Sequence, residues 1–276
     1  MSAERRLEGL VLRSMALGET DRLLTLLSDD AGLIRVVAPG ARKPKSSLAA
    51  AVPLAQLQLQ LGGRGELQRV RQLQVLRNFA ALAERLETLA AAQGLAELVL
   101  QLAPAGVPLE GALQALLLQL NRLEAVVREH QTHLEALAIS VQASVQLLAI
   151  GGYALPLASC ARSGAPLEPP LGQWEWRCSL LASEGFVLGA VAGAQLLLNP
   201  SELALLQRLL RPALPRRRDG ALMGPEAVWL RLLQLQELWC REHLGRSPRS
   251  WRLLRQCYGG APSSGAGQQP HPPCSP

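Results

Sequence analysis

At 276 residues the chain has room for two or three domains, and its formal charge of +6 is modest but segregated. Residues 1–80 carry a net +5, residues 81–150 a net −4 and residues 151–276 a net +5, so an extended polyanion is drawn to the two ends and not to the middle. Five cysteines in a chain that opens Met1-Ser2-Ala3-Glu4-Arg5-Arg6, without a secretory signal, do not describe a disulfide framework and point to a reducing cytoplasm.

Three apolar runs come first, at residues 10–12, 23–27 and 33–38, separated by Gly18 and by Asp29-Asp30-Ala31-Gly32. They predict short antiparallel strands. The third runs into Pro39-Gly40-Ala41-Arg42-Lys43-Pro44-Lys45-Ser46-Ser47, a loop stiffened by two prolines that holds the only lysines of the chain. Residues 57–61 then alternate leucine and glutamine, Gly62-Gly63-Arg64-Gly65 predicts a hairpin turn, and residues 67–75 return. The returning strand loses phase between Leu67 and Val70, which predicts a bulge and sends Arg69 and Arg71 to one face. Five short strands in the first 78 residues predict a small closed barrel of the OB type, with an SH3-like or split barrel open on pattern alone. A β-unit with Arg42, Lys43 and Lys45 at its rim suits a nucleic-acid backbone better than a small-molecule pocket. Glu19 and Asp21 flank a turn, where they are expected to set its geometry and bond Arg22.

Residues 79–258 read as mostly helical. Helices are expected over 79–103, 109–128 and 131–150, broken by Pro104, Gly106 and Pro108 and striped with leucine and alanine at core spacing. The uncharged stretch 136–161 fails as a membrane span, because Gln142, Gln146, Gly151-Gly152 and Pro156 interrupt it. His130 and His133 lie three apart without a completing ligand, so a surface or capping role is expected. Asn199-Pro200-Ser201-Glu202 starts a capped helix. Gly224-Pro225-Glu226 starts a long one that ends at Gly245, followed by a short helix carrying Arg249, Arg252 and Arg255. Arg241, Arg246, Arg249, Arg252 and Arg255 make a cationic end, with Trp251 either packed inward or free to stack on a base. Residues 259–276 have the Gly/Pro/Ser/Gln composition of a disordered tail.

The order of Gly18-Glu19-Thr20-Asp21-Arg22, Gly32, Gly40-Ala41-Arg42 and Ser46 or Ser47, resumed at His243-Leu244-Gly245-Arg246 and Ser250, resembles the bacterial RecO family of recombination mediators. The resemblance implies an α+β multidomain protein. An N-terminal OB-type barrel (1–78) would be followed by a mostly helical domain (79–258), with residues 151–198 a small, degenerate zinc-knuckle-like insertion. It also implies binding of single- and double-stranded DNA, annealing of complementary strands, and partnership with RecR and the C-terminal tail of the single-strand-binding protein. Help in loading RecA, and a place in the cytoplasm at the nucleoid, follow in the same way. On this reading Arg13, Arg35, Arg42, Lys43, Lys45, Arg69, Arg71, Arg246, Arg249 and Arg252 contact DNA, and Arg122 and Arg128 hold the acidic tail.

The insertion departs from the family pattern of two Cys-x-x-Cys pairs, since Ser163 stands where the partner of Cys160 is wanted and Cys178 has no pair. Only Cys240 and His243 are left to complete a tetrahedral site. No cofactor or metal is therefore expected, with packing by Trp174, Trp176 and Phe186 in its place. No phosphate-binding loop, nucleophile elbow or His-Glu-x-x-His occurs, so no enzyme is expected. The alternative function is a protein–protein adaptor with little direct affinity for DNA. It draws on the scarcity of aromatics in the barrel, where neither Tyr nor Trp precedes Tyr153.

Overall fold

The alternation of leucine and glutamine in residues 57–61 is reproduced by burial: Leu57, Leu59 and Leu61 point into a barrel while Gln56, Gln58 and Gln60 face outward. The computed structural model describes residues 5–63 and 67–259. Arg64 and Gly65 of the expected hairpin turn, and the expected tail from residue 260 on, lie outside the described residues.

Strands β1 (Arg5–Leu17), β2 (Asp21–Ser28), β3 (Gly32–Ala38), β4 (Ala55–Gly62) and β5 (Gln68–Asn78) close in the order β1-β2-β3-β5-β4. All neighbours are antiparallel except β3 and β5, and β1 seals the barrel against β4. That is the OB arrangement, and it decides against the SH3-like and split alternatives. β1 is far longer than its apolar run because it serves two partners, pairing β4 through residues 5–10 and β2 through residues 10–17. The bend between them needs Gly9, where a Cβ would stand 2.7 Å from the Leu27 carbonyl oxygen.

The bulges of β5 lie elsewhere than expected. Leu61 faces Val70 while Gln60 faces Gln72, which leaves Arg71 as the extra residue, and Leu76 is extra in the same way between Val75 and Arg77. The slip is set by pairing with β4, which the sequence of β5 alone does not register.

Two cores result. Leu7, Val11, Leu24, Leu26, Val36 and the β4 leucines fill the barrel. Leu10, Leu12, Leu27 and Leu54 instead join the core of the helical domain, so the barrel is seated on that domain through one outer face. Full burial of each such leucine is worth roughly 1.5–3 kcal/mol.

The helical domain comprises α1 (Leu86–Leu102), α2 (Ala112–Arg128), α3 (His133–Ile150), α4 (Pro200–Arg208), α5 (Glu226–Leu244) and α6 (Ser250–Gln256). The first expected helix is split. A 3-10 turn over Ala80–Glu84 precedes an extended Arg85, whose guanidinium leaves to donate to the Val126 and Gln131 carbonyls at the end of α2. Thr88 Oγ1 secures the corner by donating to the Leu82 and Arg85 carbonyls, both at 2.8 Å. α3 has the length and hydropathy of a membrane span, but it is the central helix of the domain, 72% buried among its neighbours.

Residues 151–198 carry a three-stranded sheet, with β6 (Cys178–Leu181) between β7 (Gly185–Leu188) and β8 (Leu196–Leu198). Its Leu180, Phe186 and Leu198 pack into the same core as the helices. The cap expected at Asn199 forms, as a capping box with Glu202, and Gly245 ends α5 with φ +75°.

Candidate nucleic-acid interface

After β3 the chain winds through successive tight turns, in which Lys43 N–H donates to Gly40 O, Ser46 N–H to Lys43 O and Ala51 N–H to Leu48 O. Ala41, Leu48 and Ala51 anchor these turns in the barrel core, while Arg42, Lys43 and Lys45 stand in solvent. The cationic loop is clamped to the β1–β2 turn. Asp21 Oδ1 accepts the Gly40 N–H at 2.8 Å and the Thr20 hydroxyl at 3.0 Å. Arg42 N–H donates to Thr20 O at 2.9 Å, and its guanidinium to Gly18 O at 3.0 Å. The Gly40 hydrogen bond, then that of Thr20, then the charges of Arg69 and Lys43 hold the Asp21 carboxyl below its ordinary value. Asp21 thus governs loop geometry, but its partner is Gly40 rather than Arg22, whose guanidinium donates to Ser14 Oγ.

The outer face of the barrel adds a second set of cations. Arg13 pairs with Thr25 across β1–β2, and Thr25 pairs with Arg35 across β2–β3, so the three share one row. Two residues along, Val37 lies beside Arg69 of β5. Arg69 is exposed and reaches Asp21 at 3.6 Å. The Arg71 side chain lies over Gly62, which has no Cβ to block it. Arg69 and Arg71 line one 590 Å³ groove with Pro39 at the root of the cationic loop. The two arginines therefore do share a face, although the bulge that brings this about sits at Arg71 itself.

At the far end of the chain, Glu97 of α1 takes the first residue of α6 by both oxygens, Oε2 accepting Ser250 N–H at 3.1 Å and Oε1 the Ser250 hydroxyl at 2.9 Å. This draws the α5–α6 turn to the barrel, and Arg246 and Arg249 line the same cleft as Arg13. Arg252 is exposed on α6 and does not line that cleft. Arg241 and Arg255 are shared by Glu237, at 4.0 and 3.4 Å. Trp251 is fully buried against Gly94, which removes it as a stacking surface.

Arg122 and Arg128 have different neighbours. The Arg122 guanidinium donates to Gln119 and Gln142 between α2 and α3, and burial, then the Arg216 charge, lower its affinity for its proton. Arg128 stands out from α2 and pairs with Glu124, which also receives Arg77 of β5 at 2.8 Å. His133 pairs with Glu226 at 3.0 Å, on the surface.

The insertion does not fit a structural zinc. Cys160 and Cys178 are both buried, but among the described residues no three or more His, Cys, Asp or Glu side chains come together as ligands. His243 does reach the insertion, but as a hydrogen-bond donor: its Nε2 is 2.9 Å from the Ala182 carbonyl oxygen. Burial pushes the Cys160 thiol up, yet hydrogen bonds from Ser163 Oγ and from the N–H groups of Leu188, Ser163 and Arg162 outweigh it and bring it to about 7. Burial drives Cys178 and Cys240 each up to about 12. Of the aromatics expected to pack here, Phe186 is buried and Trp176 partly so, but Trp174 is 70% exposed.

Comparison with known proteins matches residues 1–79 to the family described as Recombination protein O N terminal and residues 83–252 to Recombination protein O C terminal. Curated relatives named DNA repair protein RecO include one from Prochlorococcus marinus (strain MIT 9303), 61% identical over 93% of this chain and 96% of its own length. Another, from Synechococcus sp. (strain WH7803), is 59% identical over 96% and 98%. A more distant one from Trichodesmium erythraeum (strain IMS101) is 32% identical over 89% and 92%. With a closed OB-type barrel, a helical domain seated on it and both halves matched, the chain belongs to the RecO family of DNA repair proteins.

Proposed function

We propose that this protein is a recombination mediator that binds single- and double-stranded DNA through its barrel and the adjoining C-terminal turn, promotes annealing and helps load the RecA recombinase. The observation that carries the reading is the set of exposed cations on the outer surface of the barrel and on its loop. Arg13 and Arg35 flank Thr25, Arg69 and Arg71 share a groove, and Arg42, Lys43 and Lys45 are presented on a loop braced by Asp21. Arg246, Arg249 and Arg252 extend this set from the helical side. Such a surface neutralises a phosphate backbone with little regard for sequence, and its scarcity of aromatics favours backbone contacts over base stacking. The partners are RecR and the acidic C-terminal tail of the single-strand-binding protein, the latter met at Arg122 and Arg128 of α2, and the protein works in the cytoplasm on the nucleoid. The role asks for binding and positioning, with no bond cleaved.

The test is a salt titration of DNA binding by the wild-type protein and by an Arg42→Ala, Lys43→Ala, Lys45→Ala variant. Single-strand affinity should fall, and the slope of log K against log salt should flatten by about 2, at about 0.7 per phosphate contact. A flat salt dependence in the wild type would instead favour the adaptor reading, in which the barrel docks a protein.

A further inference from the structure

One cleft is built by both domains and belongs to neither. Arg13 and Thr25 stand on its barrel wall, Gln93 and Gln101 on α1 opposite, and Arg246 and Arg249 at its lip. Arg13 from β1 and Arg246 and Arg249 from the α5–α6 turn line it together, and none has an ion-pair partner among the described residues. The single carboxylate in the cleft, Glu97, has both oxygens engaged by Ser250. Three cations against one carboxylate leave the cleft net positive, and a bound anion relieves the repulsion among them. The cleft is not purely ionic. Leu12, Leu54 and Leu100 lend it apolar surface, and Gln101 Oε1 is a buried acceptor with no donor. Its Nε2 is already spent on the Glu97 carbonyl at 3.2 Å. An occupant that satisfies all of this combines anionic groups, a flat apolar body and an N–H donor, which is the chemistry of a nucleotide with an exposed base edge. The volume of 440 Å³ is that of a pocket for one small ligand, within the roughly 300–1,000 Å³ such sites span. It admits one or two nucleotides of a single strand and no duplex.

We propose that this cleft is a single-strand subsite, holding phosphates against Arg13, Arg246 and Arg249 and a base edge against Gln101 where a strand leaves the barrel face. The proposal rests on the DNA-binding reading above and adds to it a division of labour: the loop cations serve any DNA equally, and the cleft holds an unpaired strand more tightly than a duplex. Glu97 is a positioning residue, since it holds the turn that carries Arg246 and Arg249.

The test measures fluorescence anisotropy of an oligo(dC) strand and of a duplex of equal length with full-length protein. An Arg246→Ala, Arg249→Ala variant should lose several-fold more affinity for the single strand than for the duplex, with the single-strand salt slope lower by about 1.4 for two contacts. Arg13→Ala, from the opposite wall, should show the same selectivity, and an unchanged thermal midpoint guards both variants against misfolding. Equal loss on strand and duplex would overturn the proposal, and so would no loss on either. A selective loss of affinity for an acidic peptide would assign the cleft to a protein partner instead. The Arg42, Lys43, Lys45 variant separates the two levels. If it weakens DNA binding while the cleft variants change nothing, only this subsite fails; if it too is silent, the DNA-binding reading fails with it.

Discussion

The Asp21 carboxylate accepts the Gly40 N–H at 2.8 Å, which joins the first residue of β2 to the root of the cationic loop. Two parts of the chain that carry opposite charge are thereby fixed to each other, and the loop presents its cations from a braced base. Asp21→Asn should leave the barrel folded but loosen residues 39–45, speed exchange of the Gly40 amide, and weaken DNA binding several-fold through lost preorganisation. The pH dependence follows from the lowered carboxyl. Its contribution to stability is complete above the ordinary value of 3.8 and is lost as pH falls through the lower folded-state value. Acid unfolding of the wild type should therefore show a step below pH 3.8 that Asp21→Asn lacks.

Gly32 locks the barrel to the helical domain. Its φ is +62°, and a Cβ there would overlap the Val107 carbonyl, beside the Gly106 N–H that donates to Leu33 O at 2.9 Å. Gly32→Ala should cost at least about 2 kcal/mol, the left-handed penalty plus the overlap. Gly18→Ala, at φ +59° with nothing within 4 Å, should cost only the conformational part, roughly 1–2 kcal/mol. Thermal unfolding of the two variants side by side checks the difference.

Gly94 and Trp251 form a contact that accepts no extra methyl. A Cβ at residue 94 would sit 2.5 Å from Trp251 Cδ1, and the indole Nε1 is buried without a partner. Gly94→Ala should destabilise by about 1–3 kcal/mol. The double variant with Trp251→Phe should lose less than the sum of the single changes, since the smaller ring frees the space. Additive losses in denaturant melts would show that the two residues do not compete for it.

The thiols of the insertion predict a metal-free fold. Protein purified without chelator should hold well under one zinc per chain, and a stoichiometric zinc would implicate Cys160, Cys178, Cys240 and His243. One thiolate, absent in Cys160→Ser, should appear in the ultraviolet titration with a midpoint about 7. Because the folded value lies below the ordinary 9.0, the stability it contributes is complete above pH 9 and is lost as pH falls through 7. Cys178 and Cys240, each at about 12, act oppositely and only at higher pH.

Arg128 pairs with Glu124 yet keeps 64% of its side chain exposed, whereas Arg122 is held by two glutamines. An acidic peptide ending in an apolar residue and a carboxylate should bind the wild-type protein in the micromolar range, more weakly in salt, and Arg128→Glu and Arg122→Glu should each weaken it. If both bind it as the wild type does, the tail is held elsewhere, and the 241–255 region is the next to test.

Much of the architecture was legible because its causes are local. Alternation in residues 57–61 reports which side of a strand faces the core, Asn199 and Glu202 satisfy each other's backbone within one turn, and Gly245 takes a backbone conformation that side chains disfavour. The recurrence of motif residues at both ends likewise announced the family. What local patterning does not contain is the partner on the other side of a contact. The bulge belongs at Arg71 because β4 sets the register, and β1 runs from Arg5 to Leu17 because two strands claim it. Trp251 turns inward because Gly94 leaves room on a helix about 150 residues earlier. Arg13 meets Arg246 and Arg249 only once the outer leucines of the barrel are buried against α1 and Glu97 has taken hold of Ser250. The sequence alone determined which residues are cationic, which faces are apolar and where the chain turns. Packing between elements far apart in the chain decided which of those cations share a cleft, because burial of apolar surface, and not charge, brings the two domains together.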